Sequence, residues 1–217
     1  CDQDIASTEG VEDMKIGMIA DFNPAMTCQC LNDNYPVKVL SDAETQALLY
    51  MREEEKLARD VYKALNERWS MPVFANISQS EQRHMDAVLC LITKYALSDP
   101  VGDNAAGVFQ NSTLQGLYTT LTQQGLQSME AAFRVGAKIE DLDINDLMEA
   151  MPNMDNADIK AVFESLTKGS RNHLRAFSTQ ISRLGETYTP EFISADLYNE
   201  ILQSGHETGG GTCMSNC

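Results

Sequence analysis

From residue 41 onward, apolar positions recur every three or four residues in long runs, the period of amphipathic helices. Ser41-Asp42-Ala43-Glu44 has the capping-box pattern and predicts a long helix reaching about Trp69, with Pro72 separating it from the next. Ser78-Gln79-Ser80-Glu81 reads as a second capping box, opening a helix to about Leu97. Asp99-Pro100-Val101-Gly102-Asp103 ends that helix and begins a long connection, within which a short helix is expected over 113–124, closed by Gly125. Ser128 caps a third long helix to about Met151, stopped by Pro152; Asp155 or Asn156 starts a fourth, running to Leu184 and ended by Gly185. Thr189-Pro190-Glu191 predicts a last short helix to about Gln203. Residues 1–40 show no sustained period and contain Asn23-Pro24, Asn32-Asp33-Asn34 and Pro36, so an irregular extension is expected there. The pattern therefore predicts an all-α fold in three parts. These are an N-terminal extension over 1–40, a bundle of four long helices with a long crossover over 41–186, and a short helix with a Gly/Cys-rich tail over 187–217.

The chemistry lies in which charges interrupt the apolar stripes. The first long helix presents Leu48, Met51, Glu55, Ala58, Tyr62 and Leu65; the second presents Ile77, Glu81, His84, Val88, Leu91 and Tyr95. The third gives Phe133, Ala137, Glu140, Ile144, Leu147 and Met151, and the fourth gives Ile159, Leu166, Ser170, His173, Phe177 and Ile181. All four place ionisable groups in the middle of an otherwise apolar face. A buried carboxylate without a partner costs several kcal/mol, so a matched set needs a cause, and a shared cation is the simplest. Three carboxylates and two imidazoles (Glu55, Glu81, Glu140, His84, His173) make a mixed oxygen and nitrogen shell suited to iron or manganese and able to hold zinc. Glu81-x-x-His84 points two side chains at one place. Each has an ordinary alternative. Glu53-Glu54-Glu55 reads as a solvated face from which the stripe selects only Glu55 to point inward, Glu140-Asp141-x-Asp143 as surface, and either histidine as a hydrogen-bonded core residue.

Charge and cysteine usage narrow the setting. Thirty-two acidic residues against 16 basic ones give a net charge of −16, which repels nucleic acid and anionic lipid and attracts cations. No run approaches the roughly 18 apolar residues of a membrane span. Cys28-x-Cys30 and Cys213-x-x-x-Cys217 flank the helical region and are candidates to staple the two tails by disulfides, which fits an oxidising compartment. Cys90, between Leu89 and Leu91, reads as a buried, inert thiol. A chain opening on Cys1 resembles a bacterial lipoprotein after signal-peptide removal, making Cys1 a lipidation candidate; a start without such meaning is the alternative. Export to the periplasm, the cell surface or the medium is the expectation.

Glu55-Lys56-Leu57-Ala58-Arg59-Asp60-Val61-Tyr62 is similar to the first-helix E-x-x-A-R-x-x-Y of rubrerythrins, and Glu81-Gln82-Arg83-His84 to their second-helix E-x-x-H. The chain thus resembles the rubrerythrin and ferritin superfamily. More closely, through 140–147 and 169–177, it resembles a bacterial and archaeal ferritin-like family known as domain of unknown function 2202, over about 45–204. The resemblance implies a ferritin-like four-helix bundle with a di-iron site held by Glu55, Glu81, His84, Glu140 and His173, Glu81 or Glu140 bridging. It departs where such sites place a glutamate three residues before the last histidine: here stands Ser170, with Asp143 one turn beyond Glu140 able to lean in. The implied activity is ferrous-iron oxidation or peroxide reduction, with metal ions and dioxygen or peroxide as partners. Tyr62 is a candidate catalytic residue as electron relay or ligand hydrogen bond, core packing being its other role. A rubredoxin-like pair of C-x-x-C motifs is absent. The competing expectation is a homo-oligomeric scaffold at the cell surface, its subunits cross-linked through the cysteine tails.

Overall fold

The computed structural model describes residues 24–208 and Cys213. Among these, seven α-helices and one short 3-10 turn account for all regular structure. Four are long: α2 (Asp42–Trp69), α3 (Pro72–Lys94), α5 (Met129–Ala150) and α6 (Ala157–Arg183). Three are shorter: α1 (Pro24–Asn34), α4 (Ser112–Gly125) and α7 (Ala195–Gln203). No described helix is long and apolar enough to cross a membrane.

Local chemistry sets the long helices. Ser41 closes the expected capping box, its Oγ accepting from the Glu44 amide at 3.1 Å while its own amide donates to Glu44 Oε2 at 2.9 Å. At the other end Ser70 adopts the left-handed conformation (φ 52°), and Met71 is extended as residues before proline prefer. Pro72 then starts α3, one turn and a half before the Ser78 pattern expected to open it. Ser78 instead turns its hydroxyl back onto the Ala75 carbonyl (2.9 Å) within the helix, and Glu81 points inward. Ser128 caps α5 through the Ala131 amide (3.0 Å), and Pro152 stops it in the turn Met151–Asn153.

Three expectations fail at the ends. Residues 24–34, expected irregular, form α1; only Thr27 and Leu31 of it are buried, so its apolar period is too weak to read. A Cys28–Cys90 disulfide and the Lys94 ammonium, 2.9 Å from the Leu31 and Tyr35 carbonyls, hold it to α3. Cys90 is therefore a bonded half-cystine and not the inert thiol expected. Cys30 pairs with Cys213, joining the two tails, while Cys1 and Cys217 lie outside the described residues. The last helix begins at Ala195 behind a Ser194 cap, later than Thr189-Pro190-Glu191 suggests. The amides of Glu191, Phe192 and Ile193 are already taken by the Asp141 carboxylate, which also accepts from the Tyr188 hydroxyl (2.9 Å).

The long helices pack as a ring: α2 on α3, α3 on α6, α6 on α5 and α5 on α2. Its interior has two apolar clusters, one around Tyr62, Phe74, Phe133 and Phe177, the other around Leu48, Val88, Leu91 and Phe163. Along α3 and α5 the first cluster precedes the second; along α2 and α6 the order is reversed. Consecutive long helices α3 and α5 thus run the same way, and the chain must cross the length of the ring between them. Residues 95–128 do so, carrying α4 against α2 and α5. Buried acids of α2 fasten this crossover: Glu53 accepts from the Gln110 and Asn111 amides, and Asp60 from the Gly107 amide.

Glu44 ties two helices at once. Its Oε2 serves the start of α2, and its Oε1 accepts from the Asp155 amide, the Asn156 amide and the Asn156 side chain, each at 2.9 Å, at the start of α6. Burial would raise its pKa, but the bonds from Ser41, Asn156 and Asp155 hold it down from its usual 4.5 to about 2. Glu44→Gln is expected to destabilise the fold by about 2 kcal/mol at neutral pH. A depressed folded-state pKa gives stability that is full above the unfolded value and lost as pH falls. The wild-type and variant denaturation curves should therefore converge between pH 4.5 and about 2; a gap that persists unchanged through that window would refute the double-cap role.

Candidate metal centre

Between the two apolar clusters every long helix turns a charged side chain inward. Glu55 comes from α2, Glu81 and His84 from α3, Glu140 from α5 and His173 from α6, none more than 8 % exposed. His84 Nδ1 lies 3.1 Å from Glu55 Oε2 and 2.8 Å from Glu81 Oε2. His173 Nδ1 lies 2.7 Å from Glu81 Oε1 and 3.4 Å from Glu140 Oε2. The two imidazoles stack with ring centroids 5.5 Å apart. Two ligand triads result, Glu55/Glu81/His84 and Glu81/Glu140/His173, each with its donor atoms within 4.8 Å of one another and both sharing Glu81.

Hydrogen bonds satisfy this set only in part: His84 Nδ1 is hydrogen-bonded to Glu55 Oε2 at 3.1 Å. Glu81 Oε1 and His173 Nδ1, 2.7 Å apart, are both without a hydrogen-bond partner, as are Glu55 Oε1, Asp143 Oδ1 and His84 Nε2. Buried polar atoms rarely stay so in native proteins. The ligand-type atoms of each triad lie close enough together to hold a metal ion. The electrostatics agree. Burial and neighbouring carboxylates push Glu55 and Asp143 upward, Asp143 to about 8, and burial with Glu81 raises Glu140. Glu81 is held low against its burial by His173 and His84. Burial would lower His173, yet Glu81 and Glu140 lift it to about 10. So dense a set of acids in a dry layer demands protons or a cation.

Neighbours orient the set. The Tyr62 hydroxyl donates to Glu140 Oε1 at 2.5 Å, with its ring packed on Phe74 and Phe177, so it is at once core and site. Ser170 puts its hydroxyl on Asp143 Oδ2 and near the Leu166 carbonyl, so Asp143 does lean in, one turn from Glu140. Glu164, on α6, is exposed. Contrary to the expectation that only one of three could point inward, Glu53, Glu54 and Glu55 are all buried. α2 is covered by α3, α4 and α5 together, and residues 51–58 are all buried, so no solvated face is left there for an acidic run.

The family described as “Uncharacterized protein domain (DUF2202)” matches residues 44–205. The chain belongs to the DUF2202 family. “Uncharacterized protein MJ0754” of Methanocaldococcus jannaschii is 49% identical over 174 residues, 80% of this chain and 94% of the relative. The crystal structure of hypothetical protein MJ0754 from Methanococcus jannaschii DSM 2661 agrees with a TM-score of 0.78 over 79% of this chain and 98% of that one, at 49% identity. The DUF2202 segment contains both triads, whereas α1, Cys28, Cys30 and Cys213 lie outside it.

One position in the DUF2202 segment sets how close α6 comes to the site. A side-chain carbon at Gly169 would stand 2.5 Å from His84 Nε2 and 2.6 Å from its Cε1. Only glycine lets the fully buried ring keep its place beside Glu55 and Glu81. The sequence offers no sign of this, since Gly169 sits inside a helix and looks like a mere weak point. Gly169→Ala is expected to shift the imidazole and weaken cobalt(II) binding about tenfold or more, roughly 1.4 kcal/mol, with helical circular dichroism retained. Unchanged affinity would mean that His84 does not ligate.

Proposed function

We propose that the DUF2202 chain is a ferritin-like, dinuclear metal protein, with iron as its metal and redox chemistry toward dioxygen or peroxide as its activity. The observation that carries the reading is the pair of buried triads sharing Glu81, in which Glu55 Oε1, Glu81 Oε1 and His173 Nδ1 have no hydrogen-bond partner. Glu55, Glu81 and His84 would hold one ion and Glu81, Glu140 and His173 the other, the mixed carboxylate and imidazole set that iron favours and that also suits manganese or zinc. Ligands drawn from all four long helices, with Glu81-x-x-His84 on α3 and a long crossover, support the ferritin-like assignment. Bound iron would supply one-electron exchange with dioxygen or peroxide.

The chain's own residues prepare that site. Apolar layers on both sides exclude water, and Tyr62 fixes Glu140 Oε1 so that Oε2 is the atom turned to His173. Ser170 occupies the position from which a sixth ligand would come and keeps Asp143 engaged, so five protein ligands would hold the metals and a small exogenous ligand would supply the sixth. The two disulfides support a location in an oxidising compartment. The cross-linked scaffold is less well supported, because four of the six cysteines are joined within the chain.

Anaerobic loading with ferrous iron followed by elemental analysis should give about two irons per chain. Glu55→Gln should lose one of them, and Glu81→Gln, which removes the shared carboxylate, should lose both. The loaded wild type should then consume oxygen or peroxide, and the Glu81 variant should not. A wild-type protein that retains no metal would overturn the proposal.

A further inference from the structure

Most buried acids of this protein end on donors: Glu44 and Glu53 on backbone amides, Asp60 on Lys56 and Arg59, Asp158 on Lys94 and Tyr95. Glu54 does not. It is 1 % exposed, and neither carboxylate oxygen has a hydrogen-bond partner. Its side chain instead meets the carboxylate of Asp146, and the charges that weigh most on it are Asp143, Asp146 and Glu55, all acids. Two carboxylates side by side need something positive between them.

The placement is not confined to the interior. Along α5, Glu140, Asp143, Asp146 and Glu149 follow at intervals of three, so successive carboxylates neighbour one another on the helix surface over a rise of about 14 Å. Burial falls along this row: Glu140 and Asp143 are buried, Asp146 is half-buried and Glu149 exposed. Asp146 and Glu149 line a surface groove of about 480 Å³, together with Tyr50, whose hydroxyl reaches Asp146. Asp146, which accepts one hydrogen bond from the Asn145 side chain (3.1 Å), thus borders the groove on one side and Glu54 on the other, and Asp143 continues inward to the layer of the triads.

We propose that Glu54 and Asp146, backed by Asp143, form a separate binding site for a divalent cation where Asp146 borders this groove, and that it is the port by which such ions reach the Glu/His centre. The binding site stands on its own geometry; its role as a port rests on the metal-centre reading above. An all-oxygen set of carboxylates with a tyrosine hydroxyl beside it takes a hard, partly hydrated ion such as manganese(II) or ferrous iron.

Crystals soaked in manganese(II) chloride and measured for anomalous scattering test both parts separately. The expected result is one peak between Glu54 and Asp146 besides peaks at the triads, with Asp146→Asn losing the first and keeping the others. Peaks at the triads alone, or a groove peak untouched by Asp146→Asn, would overturn the site and leave Glu54 and Asp146 sharing a proton. A groove peak with empty triads would uphold the site and overturn the metal-centre reading, and no peak anywhere would overturn both. For the port, cobalt(II) loading of the triads followed by visible absorption should slow at least about fivefold in Asp146→Asn while reaching the same final amplitude, a change of about 1 kcal/mol in the barrier. An unchanged rate would overturn the port.

Discussion

A carboxylate removed from water must be given a donor, a cation or a proton. The interior of this protein is arranged around that requirement. Buried acids lie at the mid-height of α2, α3 and α5, facing His173 of α6, and their cost is too large for a chain of this size to carry without a return. Where the acids find amides or ammonium groups they become fasteners. Where they find only one another and two imidazoles, they define a place that a positive ion would complete. The same physics that steadies the crossover and the helix starts therefore also builds the chemical centre, a few residues away on the same helix.

The division is sharpest on α2. Glu53 turns to the amides of Gln110 and Asn111, Glu54 to the acidic row of α5, and Glu55 to His84. Three adjacent side chains point about 100° apart, so they can serve a loop, a groove and a buried centre only because different elements surround the helix on those sides. The crossover that makes α3 and α5 run parallel is what covers the Glu53 side. Topology and chemistry are thus coupled: were the four helices joined by short turns, nothing would lie over Glu53 to use it.

Much of this was legible in the chain. Capping boxes and prolines mark the bounds of α2, α5 and α6 closely, because those signals act locally. The Ser78-x-x-Glu81 pattern misleads, since a serine and a glutamate at that spacing cap a helix only if the chain is not already helical before them. α1 escapes because its hold on α3 is covalent and leaves almost no apolar period to read. At the centre, the stripe pattern singles out Glu55, Glu81, His84, Glu140 and His173, which the structure brings together. Glu53 and Glu54 are missed by the same pattern, which assumes one buried face per helix. Gly169 leaves no trace in the sequence at all, because its contribution is a missing side chain opposite a ring eighty-five residues away in the chain.

The Cys30–Cys213 bond has a mechanical consequence. Tension that enters along the residues before Cys30 and leaves beyond Cys213 has a short covalent path from one to the other. It crosses a single sulfur–sulfur bond and need not pass through any of the 182 residues between them. Helices α2 to α7 lie in a closed loop hanging from that bond, shielded from any pull along the chain for as long as the bond is oxidised. Reduction would put the same force onto the ends of the loop and, through Cys28–Cys90 or its loss, onto the helices that carry the metal-binding triads.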